Sequence, residues 1–314
     1  MMLNKLAWKR CEQLVDESVT RRVSVVRQEG GARLVDCGVF VPGGLEAGIA
    51  LAEICLAGLG RVTLVPGRAD LAPGPAIAVQ TDHPIAACMA SQYAGWQVAG
   101  MKFFAMGSGP MRAARGREEL FDHIGFREKP DCAVGVLETG KLPPTDVCEH
   151  VASECGVEID NLTLLVAPTR SIAGTVQVVA RSVETALHKL HTLGFELSRV
   201  VSGYGVAPLP PVACDDLTGI GRTNDAVLYG GEVTLWVRGD DDSVAKTGAL
   251  LPSSASRDYG LPFGQIFDRY DRDFYKIDPL LFSPAVVNFV NLDTGRSFRF
   301  GEFNPEVLAQ SFSS

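Results

Sequence analysis

The sequence predicts a mixed α/β protein built from two domains with mixed sheets. Its 314 residues exceed the usual size of one hydrophobic core, and 46% of them are apolar, which is enough to fill two interiors. Segments with helical periodicity alternate with short apolar strands along most of the chain. Beyond Gly230 strands follow one another directly, which favours antiparallel pairs within the sheets. We place approximate domains at residues 1–130 and 131–314, with interleaved segments left open as an alternative.

The first half of the chain predicts a helix, a hairpin and then alternating helices and strands. Apolar residues at helical spacing indicate a helix within the first twenty positions, and Pro42, Gly43 and Gly44 precede the second helix. The predicted strands cover residues 23–26, 34–39, 62–65, 76–79, 98–106 and 132–137. The predicted helices cover residues 45–59, 83–94, 117–124 and 144–155.

The second half repeats this alternation and then changes. Residues 162–166 predict a strand, 176–193 a helix, and 199–201 and 233–237 two further strands. Residues 286–292 and 297–300 predict a hairpin that turns at 293–295. The acidic run 240–242 is typical of a solvated turn, and residues 252–257 of a loop.

Composition excludes several functional classes. A net charge of −8 is unfavourable for a nucleic-acid binder, which needs a surplus of lysine and arginine. No apolar run approaches the roughly 18 to 20 residues that cross a bilayer. The eight cysteines are widely spaced without a CxxC pair, so we expect reduced thiols, most of them in the core. The N-terminus shows no signal-peptide pattern, and we expect a cytoplasmic protein that acts on a small molecule.

The clearest chemical signal lies in residues 167–191, which read APTRSIAGTVQVVARSVETALHKLH. Arg181 and Glu184 stand three residues apart on the predicted helix 176–193, so their side chains would share one face. A guanidinium in that position can orient a carboxylate and keep it ionised, as a general base requires. An ordinary surface ion pair has the same spacing, and spacing alone does not decide between the two.

A metal site is the sharpest rival interpretation. Glu184, His188 and His191 occupy positions i, i+4 and i+7 of the predicted helix, and zinc bound there would activate a water molecule. Histidines in the last helical turns also interact favourably with the helix-end carbonyls, and no further ligand motif is visible. No GxSxG motif or other nucleophile arrangement appears, which disfavours covalent catalysis.

A glycine-rich turn provides a second candidate region. Gly107, Ser108 and Gly109 begin like a dinucleotide fingerprint, but Pro110 removes a donor and Arg112 occupies the sixth position, so the loop is not of the Rossmann type. Such a turn lets a flat ligand approach the backbone, and Arg112 could bind an acidic group of that ligand. A tight strand-to-helix connection is the alternative.

Three polar and aromatic groups complete the candidate binding residues. The motif at 221–225 places donors and acceptors side by side, as recognition of a heterocycle edge requires, although a turn or a capped helix start would also explain it. Tyr229, Phe274 and Tyr275 would form an aromatic wall or belong to the core. The polar candidates are Ser91, Gln92, Tyr93, Arg222, Thr223, Asn224, Asp225 and Lys276.

These motifs together resemble the methenyltetrahydromethanopterin cyclohydrolase family. The resemblance rests on residues 167–189, on AMGSGP at 105–110, on GRTND at 221–225 followed by Tyr229, and on DFYKID at 273–278, and it extends to LFSPA at 281–285. It implies hydrolysis of a pterin-based one-carbon carrier without cofactor or metal, with Arg181 and Glu184 as catalytic residues. It further implies two α/β domains enclosing a substrate pocket, and a homotrimer.

Other functions stay open beside this one. A metal-dependent hydrolase would use Glu184, His188 and His191. A redox enzyme acting on the same carrier would need a nucleotide, and no nucleotide fingerprint is present. A non-catalytic protein that binds the pterin carrier would not require Arg181 and Glu184 to be intact. The phosphorylated or dephospho form of the carrier is likewise left open.

Overall fold

The computed structural model describes residues 1–28 and 30–313, with the backbone alone at Tyr275. The chain divides into two compact, interleaved units, one formed by Met1–Arg61 and Ile85–Gln177, the other by Val62–Pro84 and Val178–Ser314. Residues 130 and 131 both lie within the first unit. The mixed α/β class with mixed sheets is confirmed.

The first unit contains a mixed sheet that has six strands within the described residues. Its strands are β1 Ser24–Arg27, β2 Arg33–Asp36, β5 Trp96–Gly100, β6 Phe103–Ser108, β7 Ala133–Glu138 and β8 Leu162–Ala167. Their order across the sheet is β1-β2-β8-β7-β6-β5. The three central strands β2, β8 and β7 are parallel, and antiparallel strands complete both sides.

Helices cover both faces of this sheet. The helical elements of the first unit are α1 Leu3–Asp16, α2 Leu45–Cys55, the π-helix Ile85–Gln92, α3 Met111–Arg115, α4 Leu120–Ile124, α5 Thr145–Cys155 and most of α6 Ile172–Val179. Val35 and Leu165 pack in a core with α1 and α2, whereas Leu34 and Leu164 pack in a core with α5. Neighbouring strand residues therefore serve opposite cores, which explains why the central strands are apolar throughout.

The second unit contains the other mixed sheet. Its strands are β3 Gly60–Pro66, β4 Pro75–Thr81, β9 Val200–Pro208, β10 Glu232–Val237, β11 Val286–Asn291 and β12 Ser297–Gly301, and their order is β12-β11-β10-β9-β4-β3. The helices are α7 Ser182–Thr192, α8 Asp216–Gly230, α9 Asp241–Gly248, α10 Phe263–Arg269 and α11 Pro305–Ser313. Helix α7 packs on β9 and β10, whereas α8 packs against α10 and α11.

Two of the predicted elements are each divided in the structure. The helix predicted at 176–193 is α6 followed by α7, with Ala180 and Arg181 between them. The strand predicted at 98–106 is the β5–β6 hairpin, because Gly100 pairs with Phe103 and leaves a two-residue turn at Met101 and Lys102. Both predictions were wrong because apolar residues continue through the break in the helix and through the turn of the hairpin.

Other elements differ in type from the prediction. The helix expected at 83–94 is the π-helix Ile85–Gln92. The acidic run at 240–242 begins α9, with the Asp240 carboxylate accepting a hydrogen bond from the Ser243 amide at 2.7 Å. Helix α8 was not predicted as an element. Among the described residues all eight cysteines are free thiols, and six of them, Cys148 and Cys155 on α5 included, are buried.

Candidate active site

Arg181 lies at the break between α6 and α7, in the N-cap position of α7. Its backbone amide donates to the Val178 carbonyl at 3.1 Å. Its own carbonyl accepts hydrogen bonds from the amide and the hydroxyl of Thr185, both at 2.8 Å. These hydrogen bonds stabilise the break between the two helices. The arginine at the break is buried, with 8% of its surface exposed.

Glu184 belongs to the first turn of α7 and is 5% exposed. The earlier expectation placed it with Arg181 inside one continuous helix, and the structure corrects this to the N-cap and N3 positions of α7. The N-terminal end of a helix carries partial positive charge from its unpaired amides, which stabilises a carboxylate in the first turn. Glu184 therefore lies where the partial positive charge of the helix start is greatest.

Two glycines on β9 determine how closely the start of α7 approaches the sheet. A Cβ atom at Gly203 would stand 2.7 Å from Cγ1 of Val183, and one at Gly205 would collide with the hydroxyl of Ser182. Only glycine fits at such a contact without moving the helix. The two glycines thus set the position of the turn that carries Glu184.

Lys189 anchors the middle of α7 and was not singled out from the sequence. Its side chain is 1% exposed, and its Nζ donates to the carbonyls of Pro252 at 2.8 Å and Leu280 at 2.5 Å. Burial lowers the pKa of Lys189 to about 7, and the charge of Asp278 partly opposes this shift. Its acceptors lie 63 and 91 residues away, so no local pattern could have indicated the contact.

The first unit brings two of the predicted clusters together. The Ser91 carbonyl accepts a hydrogen bond from the Gly109 amide at 2.9 Å, and the Ser91 hydroxyl donates to the Cys55 carbonyl at 2.6 Å. The Cys55 sulfur lies 3.3 Å from the Ser108 hydroxyl. Gly107 and Ser108 are the last residues of β6, not part of a turn. The segment 91–93, which includes Gln92 and Tyr93, therefore lies beside the end of β6 and the following Gly109, within one unit.

Arg112, for which the sequence suggested contact with an acidic group of the ligand, pairs instead with the protein itself. It is fully buried, and its guanidinium forms a two-pronged ion pair with Glu118, in which Nε donates at 2.9 Å and Nη2 bonds the second oxygen. Its Nη1 donates to the backbone carbonyls of Met89 and Ser91. The structure thus places Arg112 in the interior of the unit. Glu118, six residues further on, is a partner that the sequence reading missed.

The 221–225 motif lies within α8 of the second unit, not at a turn. The hydroxyl of Thr223 and the amide of Asn224 donate to backbone carbonyls one turn earlier, at 2.8 Å each. Arg222 donates to the Pro211 carbonyl at 3.2 Å. Asp225 accepts the Phe263 amide at 2.8 Å, and burial raises its pKa to about 7. The structure therefore shows each of these side chains in contact with the protein itself.

Of the aromatic candidates, Tyr229 belongs to the core of the second unit. Tyr229 is fully buried and donates to the Leu261 carbonyl at 2.6 Å. Phe274 is 40% exposed and its ring lies 4.4 Å from that of Phe267. Lys276 is exposed, with Nζ 3.5 Å from Asp271, while the side chain of Tyr275 lies outside the described residues.

The residues of the rival metal site are not gathered into a ligand group. Over residues 1–28 and 30–313, no cluster of three or more histidine, cysteine or acidic side chains could hold a metal ion. His188 and His191 are partly exposed on α7, while Glu184 is buried.

Within the same described ranges, no helix combines the length and the apolarity needed to span a bilayer.

The chain is thus a protein of two mixed α/β units, one of which carries a buried arginine and a buried glutamate at the start of a helix. A sequence model of the cyclohydrolase (MCH) family matches residues 2–312. The chain belongs to this family, which confirms the resemblance inferred from its motifs.

Three relatives support the same assignment. The chain is 48% identical to a methenyltetrahydromethanopterin cyclohydrolase of Methylobacillus flagellatus over 99% of this chain and 95% of the relative. It is 51% identical to one of Rhodopirellula baltica, covering 90% and 86%. It is 42% identical to one of Methanospirillum hungatei, covering 99% and 98%. The match is thus nearly full length in both directions.

Proposed function

We propose that this protein hydrolyses 5,10-methenyltetrahydromethanopterin, or its dephospho form, to the N5-formyl derivative. Family membership over residues 2–312 and the names of relatives at 42 to 51% identity support the reaction. The observation that supports the catalytic assignment is the burial of Arg181 and Glu184 at the N-terminus of α7. A carboxylate at that position lies next to the partial positive charge of the helix N-terminus.

The substrate carbon is a methenyl bridge between two nitrogens and carries delocalised positive charge. In the proposed mechanism, Glu184 accepts a proton from water as the water oxygen bonds to that carbon, which gives a neutral tetrahedral adduct. The carbon–nitrogen bond to N10 then breaks as N10 takes up a proton, and the adduct hydroxyl loses its proton to become the formyl oxygen on N5. One water is consumed and one proton is released overall. General-base action of this kind contributes about 10² to 10⁴ in rate.

Arg181 has a distinct role in this proposal. A carboxylate beside a cationic substrate stabilises the ground state, and only stabilisation that is greater in the transition state accelerates the reaction. A guanidinium near Glu184 offsets part of the attraction between carboxylate and substrate cation. It also holds the carboxylate in one orientation, which reduces the entropic cost of positioning the water.

The proposed substrate contacts are Ser91, Gln92, Tyr93, Gly107, Ser108, Gly109, Arg222, Thr223, Asn224, Asp225, Tyr229 and Lys276, with Arg112 acting indirectly. Buried members of this set, such as Asp225 and Tyr229, would act by shaping the site, since their polar atoms bond the protein. We further propose that the reaction needs no cofactor or metal. A homotrimeric, cytoplasmic enzyme is part of the same proposal.

The decisive experiment follows the loss of the methenyl chromophore in metal-free buffer with chelator. Wild type, Glu184→Gln and Arg181→Ala would be compared, with Glu196→Gln as the matched control, because Glu196 is exposed and accepts a hydrogen bond from the nearby Ser198 hydroxyl at 2.6 Å. We expect turnover in wild type and control, and a loss of at least about 10² in kcat for Glu184→Gln. Retention of most turnover by Glu184→Gln at saturating substrate would overturn the general-base assignment.

The same assay separates the alternative functions. Turnover that requires added zinc would favour a metal site on α7 with Glu184, His188 and His191. Turnover that requires a nicotinamide nucleotide would favour redox chemistry on the carrier. Substrate binding without turnover, measured by calorimetry, would favour a carrier-binding protein.

A further inference from the structure

The eight-residue π-helix Ile85–Gln92 ends within the segment 91–93. Extended π-helical structure is rare, and where it occurs it is frequently at functional sites. Its last hydrogen bond runs from the Tyr93 amide to the Cys88 carbonyl at 2.9 Å, five residues back. An unusual backbone of this kind persists only if its surroundings hold it in place.

Arg112 stabilises the end of the π-helix through hydrogen bonds to its backbone. Its Nη1 donates to the Met89 carbonyl at 3.0 Å and to the Ser91 carbonyl at 3.4 Å. Carbonyls at the end of a helix lack partners within the helix and carry partial negative charge, so a buried cation there stabilises this particular ending. The Gly109 amide bonds the same Ser91 carbonyl, which joins the glycine-rich turn to the arrangement.

The guanidinium of Arg112 contacts a carboxylate and two aromatic rings. Glu118 binds Nε and Nη2, while the rings of Tyr93 and Phe121 lie 4.9 and 5.3 Å from Cζ. Gly95 is required for this packing: a Cβ there would stand 2.8 Å from Cε1 of Tyr93 and would collide with the Glu118 carboxylate. The planar, five-donor guanidinium fits this set of acceptors and rings, and an ammonium would not reproduce it.

We infer that Arg112 is a positioning residue that sets the conformation of segment 91–93 and the orientation of the Tyr93 ring. This inference rests on the proposed function for its catalytic consequence. Arg112 is buried and does not touch substrate itself; it presents Gln92 and Tyr93 in the conformation that binds substrate. Loss of its hydrogen bonds displaces the segment and raises KM more than it lowers kcat.

The test compares Arg112→Lys, Glu118→Gln and Arg112→Met with the matched control Arg115→Lys. Arg115 lies on the same short helix, pairs with Glu154 at 3.1 Å and stacks 4.5 Å from the ring of Trp96, but the carbonyls of Met89 and Ser91 are bonded by Arg112. We expect Arg112→Lys to lower kcat/KM by about 10- to 100-fold, mainly through KM, as a displacement near 1 Å would. Arg115→Lys should remain within about twofold of wild type.

Hydrogen exchange gives a readout independent of turnover. The Tyr93 and Gly109 amides should exchange at least about tenfold faster in Arg112→Lys and Glu118→Gln than in wild type, with amides of α1 unchanged. Wild-type exchange and wild-type KM in Arg112→Lys would overturn the inference, as would an equal loss in Arg115→Lys. An inactive wild type would refute the proposed function, while exchange would still decide the structural part. If Arg112→Met does not fold, Arg112→Lys and Glu118→Gln are sufficient to test the inference.

Discussion

Each unit contains one buried basic side chain that bonds two backbone carbonyls, and the two are built differently. In the first unit, Arg112 bonds the carbonyls of Met89 and Ser91, and in the second, Lys189 bonds those of Pro252 and Leu280. Both side chains are at most 1% exposed. Each side chain therefore links its own helix to backbone carbonyls that are distant along the chain.

The difference lies in the charge environment. Arg112 has a carboxylate partner, Glu118, and two aromatic faces. Lys189 bonds neutral carbonyls, and burial lowers its pKa to about 7 despite the charge of Asp278. Burying a cation is unfavourable unless it is paired, and an ammonium can lose its proton where a guanidinium does not. The comparison indicates that Arg112 acts as a fixed charge and Lys189 as a donor that survives deprotonation, because a neutral amine still has two N–H groups.

The largest expected effect is that of Arg112→Met. It leaves Glu118, whose side chain is 16% exposed, without its cation and leaves two carbonyls without a donor. Breaking a buried pair by removing one member costs about 3–5 kcal/mol. Urea denaturation should show this loss, and an unchanged midpoint would mean that the ion pair contributes nothing net to stability.

Lys189→Met should destabilise the protein less. The substitution keeps the apolar stem but leaves the carbonyls of Pro252 and Leu280 without their donor, and an orphaned buried group costs about 1–3 kcal/mol. Removal of a poorly solvated amine offsets part of this cost. The free energy of unfolding at pH 8 would measure the difference, and a stabilised variant would show that burial of the amine outweighs its hydrogen bonds.

The pH dependence of the free energy of unfolding should distinguish Lys189, which can lose its proton, from Arg112, which cannot. Because the folded pKa of Lys189, about 7, lies below its usual value of 10.5, the unfolded chain binds an extra proton between these pH values. The contribution of Lys189 to the free energy of unfolding therefore rises with pH across this window, by roughly 2 kcal/mol from pH 7 to 9. Subtracting the curve of Lys189→Met from that of wild type isolates this term. A flat difference would contradict the lowered pKa.

The smallest effect is expected for an exposed pair. Arg272 and Asp268 lie 2.9 Å apart at helical spacing, each 60% exposed. Arg272→Ala should change the free energy of unfolding by less than about 1 kcal/mol, and added salt should reduce even that. A larger effect would remove the distinction between buried and exposed arginine pairs on which the comparison depends.

Much of the fold follows from local patterns. Helix α1, the β1–β2 hairpin, the apolar strands β7 and β8 and the hairpin of β11 and β12 all lie where periodicity and turn residues predict them. The motifs around Arg181 and Glu184 likewise indicate the family, which the family model over residues 2–312 confirms. These signals can be read from sequence because each depends on residues that are close together along the chain.

The interleaving of the two units, the break at Arg181 and the placement of α8 were decided by tertiary structure. Periodicity predicts one helix over 176–193, but the glycines of β9 and the hydrogen bonds of Arg181 start a new helix at Ser182. The interior role of Arg112 depends on Met89 and Ser91, more than twenty residues away, and that of Lys189 on still more distant carbonyls. Residue type and spacing therefore determined the family, whereas long-range packing decided which charged side chains face the interior, because desolvation and pairing are properties of the folded neighbourhood.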